Sequence, residues 1–246
     1  MKRAEKAIIK KDIRGITSNR RLFSALWIVP LALTVVLPSI FVCAAHFAPD
    51  DPDVLALLEL LPGTANTESV ELAIAGIIFN YILPAFFLMI PIMTASVMAA
   101  SAFVGEKEKH TLETLLYCPL SVKEIFRAKV LASFLLSMLV SLVSFAVMLT
   151  VLELESVFLM GSPLLPGGGW VIVLFLLSPA VSLIAVTLIV RNSARAQSVE
   201  ESQQSAVFLI IPVILLVVGQ FAGVMILNVW ILLGLSIVCA LLARLL

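Results

Sequence analysis

Six long apolar runs dominate the chain, at about residues 22–45, 76–104, 130–152, 170–190, 206–227 and 229–246, and the charged residues fall between them. A helix needs about 20 apolar residues to cross a bilayer, where each backbone polar group must be satisfied inside the protein. The pattern therefore predicts six spanning helices in one all-α membrane domain over 1–246, with both termini on the same side. Composition agrees: 61% of residues are hydrophobic, 13% are charged and the mean hydropathy is +1.15, against about 25% charged in a soluble domain.

Charge gives this topology a direction. All sixteen Lys and Arg residues lie in the N-terminal arm (1–21), in the 105–129 loop, at Arg191 and Arg195, or at Arg244. Six spans put all of these on one side, which the positive-inside rule makes cytoplasmic. The opposite loops hold eight carboxylates and no Lys or Arg, about −8 outside against about +8 inside. Trp170 and Trp230 open the fourth and sixth runs, where an interfacial aromatic belt is expected. The basic arm is long and the first run exceeds the 7–15 residues of a signal-peptide core, so that run is expected to stay as a span. Cys43, Cys118 and Cys239 are odd in number and scattered, and read as packing residues.

Several chemistries are excluded. No Asp, Glu, Lys, Arg or His falls in the membrane core of any run, so the ionisable residue usual in an ion-coupled carrier is missing. No Gly-Lys pair occurs, and hence no phosphate-binding loop for a nucleotide. Glu200-Glu201 invites comparison with the Glu-Glu-x-x-x-Arg motif of CAAX-type membrane proteases, but the arginine is absent. His46 and His110 belong to opposite membrane sides, so no zinc pair or His-based dyad can form in one chain. The chain is expected to be no enzyme and to bind no metal, cofactor or nucleic acid.

The cytoplasmic segments carry more pattern. Leu112, Leu115 and Leu116 form an i, i+3, i+4 apolar edge beside a charged turn. Pro119 stops that helix, and Ser121-Val122-Lys123-Glu124 has the form of a capping box opening the next. In the arm, Ile9, Ile13 and Ile16 recur at i, i+4, i+7 among basic residues, the pattern of a helix lying on anionic lipid. Span two, about 29 residues or 43 Å, has kink sites at Pro84 and Pro91. It carries a small, partly polar stripe that includes Gly76, Asn80, Phe87, Thr94 and Met98. Ser133, Ser137, Ser141 and Ser144 form a stripe in span three that suits close helix packing, and span five holds Gly219-x-x-x-Gly223 beside Gln220.

Phe103-Val104-Gly105-Glu106-Lys107-Glu108, followed by Thr111-Leu112-Glu113-Thr114-Leu115-Leu116 and Pro119-Leu120-Ser121, resembles the signature of ABC-2 type transporter permeases, within a broad NatB-like grouping. Lys11-Asp12-Ile13-Arg14 with Asn19-Arg20-Arg21 is similar to the basic arm of that family, and Arg195 to Gln204 to its last cytoplasmic loop. The resemblance implies a type V exporter-like fold of six spans, an interfacial arm helix and a cytoplasmic coupling helix. It also implies a second permease subunit and a separate ATP-binding subunit that holds ATP and Mg²⁺, in a prokaryotic cell membrane.

On this resemblance Glu106, Lys107, Glu108, Thr111, Leu112, Glu113, Leu115 and Leu116 would meet the ATP-binding subunit, the carboxylates by charge and the leucines in an apolar slot. Asn80, Phe87, Thr94, Met98 and Gln220 would border the pathway, and Gly219 and Gly223 would pack a dimer. A sodium-extruding permease and a non-transporting membrane scaffold are the alternatives, the first weakened by the missing intramembrane carboxylate.

Overall fold

The computed structural model describes residues 3–47, 70–111, 120–204, 206–222 and 228–245, and every element among them is helical. The arm forms α1 (Arg3–Ser18). Its Ile8 and Ile9 pack against Ile125, Ala128 and Ala132, which lays the arm along the first part of the third span. The chain breaks at Asn19 and α2 (Arg20–Phe47), the first span, starts at once.

The second span is continuous but not uniform. It begins as α3 (Val70–Ile77), widens into a π-helical turn over Ile78–Ile82, and proceeds through α4 (Leu83–Phe87) into α5 (Met89–Glu108). Pro84 accounts for the wide turn. It has no N–H to give the carbonyl of Asn80, and its ring crowds that carbonyl. The backbone relaxes so that the Leu83 N–H reaches Ile78 O, five residues back. The fourth span repeats the device: α7 (Gly169–Ile172), a π turn over Val173–Leu177, then α8 (Ser178–Ser193) with Pro179 in its first turn.

Between them runs α6 (Val122–Met160), about 58 Å long at 1.5 Å per residue and nearly twice the hydrocarbon thickness. Its start is the expected capping box: Ser121 Oγ accepts from the Glu124 N–H, and the Glu124 carboxylate accepts from the Ser121 N–H at 2.9 Å. Its end is capped by Gly161 at φ 73°, a left-handed position that glycine takes without steric cost. The chain continues as α9 (Val199–Gln204), α10 (Val207–Phe221) and α11 (Val229–Leu245).

Among the described residues, five stretches are long and apolar enough to cross a membrane: Leu22–Ala44, Glu71–Glu108, Val122–Met160, Gly169–Ser193 and Val199–Gln220. The sixth predicted run is a shorter apolar helix of 17 residues.

The serine stripe of α6 is a packing seam. Ser133, Ser137, Ser141 and Ser144 are all buried. Ser137 Oγ donates to Pro91 O at 3.1 Å, and Thr94 Oγ1 lies 3.3 Å from Ser137 Oγ. Small side chains let α5 and α6 approach closely where lipid supplies no hydrophobic drive between helices. Farther from the arm, Trp170 stands among Phe79, Phe87 and Phe145, with ring centroids 5.0–5.5 Å from its own. Only 2% of Trp170 is exposed, so it belongs to the core and not to an aromatic belt, whereas Trp230 is exposed. Two polar clamps close the end remote from the arm: His46 Nδ1 lies 2.8 Å from Glu71 Oε2, and Ser39 Oγ donates to Glu155 Oε1 at 2.6 Å.

Candidate functional site

The arm and the adjoining ends of spans two and three meet around a cluster of charges. Lys129 of α6 is 2% exposed. Its ammonium donates to Ala102 O at 2.6 Å, lies 2.8 Å from Glu106 Oε2 and 3.7 Å from Asp12 Oδ2, and sits 5.6 Å over the Phe103 ring. Lys11, half in solvent, reaches Glu106 Oε1 at 2.5 Å. Two carboxylates and two ammonium groups thus balance in charge, and three elements are tied at one point. Burial pushes the Asp12 carboxyl above its ordinary value of 3.8 and Glu106 pushes it the same way, against the pull of Lys129 and Lys11. A cavity of about 230 Å³ adjoins the cluster, lined by Lys11, Asp12, Gly15, Glu106, Lys109 and Thr111 among others.

Immediately past this cluster α5 ends in a Schellman motif. Thr111 N–H bonds Glu106 O at 2.9 Å and His110 N–H bonds Lys107 O at 3.1 Å, with His110 left-handed at φ 54°. A non-glycine residue there is uncommon, although histidine is among the more tolerant. The cap turns the chain sharply at His110. On the other side of α5, Lys107 Nζ donates to Ala194 O at 3.3 Å and to Ala196 O at 2.9 Å, satisfying carbonyls left open at the end of α8. Glu108 Oε2 accepts from Val199 N–H at 3.4 Å, where α9 begins. Glu201 also caps α9: its carboxylate accepts from the Gln197 N–H, and its own N–H bonds Ser198 Oγ. Glu201 of the Glu200-Glu201 pair thus works as helix-terminus chemistry.

Of the expected partner-facing residues, Lys107, Glu108 and Thr111 are exposed, while Glu106 is 7% exposed and turned inward to Lys129 and Lys11. Leu112, Glu113, Leu115 and Leu116 lie outside the described residues, as does Gly223.

The expected pathway residues are interior or hydrogen-bonded within the chain. Phe87, Thr94 and Met98 are at most 2% exposed. Asn80 accepts from Gly167 N–H at 2.6 Å and donates to Gly76 O at 3.1 Å, holding the loop before span four against span two. Gln220 is buried, and its Nε2 donates to Tyr81 O at 2.5 Å, tying α10 to the π turn. Gly219 has open space where a Cβ would stand.

The functions of Asp12 and Lys129 were not anticipated, yet a signal existed. Lys129 continues the serine stripe one step toward the start of α6, Glu106 continues Met98 and Ala102 at i+4, and Asp12 sits between Ile8 and Ile16 in the buried column of the arm.

Long apolar helices braced against one another define a multi-pass membrane protein. Residues 62–243, roughly three quarters of the chain, match the family described as ABC-2 family transporter protein. The chain belongs to that family and is a membrane permease of an ABC transporter. No curated protein and no solved structure matches it.

Proposed function

We propose that the chain is the permease subunit of an ATP-driven exporter, acting as one of two permease subunits above two separate ATP-binding subunits. The observation that carries this reading is the bracing of the 112–119 segment at its base. Glu106 and Lys129 fix its α5 root to α6 and α1, while Lys107 and Glu108 fix it to α8 and α9. A push on the segment therefore reaches spans two, three and four together. ATP and Mg²⁺ belong to the partner. Leu112, Leu115 and Leu116 supply the apolar contact, and Glu108 and Glu113 the charge pairs. Export as the direction rests on the resemblance of residues 103–121.

Opening a pathway beside span two requires parting the contacts that now bury Phe87, Thr94 and Met98 and breaking the Gln220 bond to Tyr81. The open space at Gly219 leaves room for close approach of a second subunit.

The decisive experiment is co-purification in mild detergent. The wild-type chain should bring down a soluble protein with a phosphate-binding loop, and a Leu112→Asp, Leu116→Asp double variant should lose it while keeping its helical content. Undiminished capture by the double variant would refute the docking role.

A further inference from the structure

The opposite flank of the arm is built for a different contact. Between α1 and α6 lies a groove of about 480 Å³ whose floor is Ile9, Ile13 and Leu135 and whose rim carries Lys6, Lys10 and Arg14. The three cations stand at i, i+4, i+8, one above another along one edge of the helix. All three are exposed, and no acidic side chain pairs with any of them among the described residues. The arm's own Asp12 is turned away to Lys129. Leu135 lies six residues beyond Lys129 along α6, about 9 Å deeper into the membrane, and remains 47% exposed. The groove thus runs from a cationic rim at the cytoplasmic surface to an apolar floor at the depth of the hydrocarbon.

We infer that this groove is a binding site for one anionic phospholipid, its headgroup held by Lys6, Lys10 and Arg14 and an acyl chain laid along Ile9, Ile13 and Leu135. Charge complementarity selects a negative headgroup. The apolar floor selects a lipid over a free phosphate, which would leave Leu135 and the isoleucines uncovered. A helix merely adsorbed to a charged surface needs no groove, whereas here the lipid fills the seam between the arm and the third span. It would hold α1 in the position from which Asp12 and Lys11 reach the charge cluster. The inference is independent of transport direction and of any ATP-binding partner.

Native mass spectrometry of the delipidated full chain in detergent tests it, with phosphatidylglycerol and phosphatidylcholine as probes. One phosphatidylglycerol should bind, well above phosphatidylcholine. The triple variant Lys6→Gln, Lys10→Gln, Arg14→Gln should weaken phosphatidylglycerol binding on the order of a hundredfold. Leu135→Trp, which fills the floor without changing charge, should weaken it severalfold. Leu135→Phe serves if the tryptophan is not accommodated. The charge-matched control Lys123→Gln, Arg127→Gln, Arg244→Gln should leave binding nearly unchanged. Equal losses in the control and groove triples, or full binding with the floor filled, would reduce the contact to diffuse adsorption and overturn the site. Displacement of the lipid by soluble glycerophosphate would overturn it in favour of a phosphate site.

Discussion

Lys129→Met tests the charge cluster most directly, because it keeps the apolar stem and removes the buried cation. Glu106 and Asp12, 2.8 and 3.7 Å from its ammonium, would remain in a site where their side chains are only 10% and 5% exposed. Lys11 cannot replace it, since its side chain is 54% exposed and its charge is screened by water. Removing one partner of a buried pair costs about 3–5 kcal/mol, mainly through the charge left behind.

The pH dependence has a definite sign. A raised Asp12 pKa means that the folded state holds the proton more tightly than the unfolded chain. Ionisation of Asp12 therefore weakens the fold as pH climbs through the folded pKa, and the penalty vanishes below the ordinary value of 3.8. Loss of Lys129 removes the strongest downward pull, so the variant should recover more stability on mild acidification than the wild type. Equilibrium unfolding in mixed micelles, followed by tryptophan emission, measures both effects. Glu106→Gln added to Lys129→Met should restore part of the loss, a coupling that independent sites do not show. A Lys129→Met protein within about 1 kcal/mol of wild type at neutral pH would mean that the cluster is hydrated and braces nothing.

Two further substitutions probe the outer half. Trp170→Ala should cost about 3–5 kcal/mol in the same unfolding assay, since it empties the middle of the Phe79, Phe87 and Phe145 cluster. Gly167→Ala places a Cβ 3.0 Å from Asn80 Oδ1 and should cost about 1 kcal/mol by disturbing that hydrogen bond. Asn80→Ala should cost a similar amount, and the double variant should be less than additive.

The spans were legible because membrane insertion imposes a simple composition rule, and the start of α6 because a capping box is local chemistry. The length of α6 was not. The capping box implied a helix running through Lys129 into the third span, but Glu153 and Glu155 look like its far end to a hydropathy count; the helix carries them on, with Glu155 answered by Ser39. Trp170 looked interfacial because it opens an apolar run, and only the fold brings three phenylalanines around it. The partner-facing reading of Glu106 came from the resemblance of residues 103–121, whereas helical phase turns Glu106 inward and leaves Lys107 and Glu108 outside. Burial of a lone charge is visible in sequence only when its position is counted along the stripe it interrupts.

The π turns ahead of Pro84 and Pro179 also reset rotation. Each adds about one residue to its helix, and one residue of α-helix is about 100° of azimuth. The Val70 end of span two and the Gly169 end of span four are therefore clocked differently from the halves beyond the π turns. Asn80 faces Gly167 while Thr94, on what reads as the same stripe, faces Ser137. A displacement entering at the end that holds the charge cluster need not travel along the bundle as a tilt. If either wide turn tightens, the outer half swings about its own axis, and the rings around Trp170 are where that torsion would register.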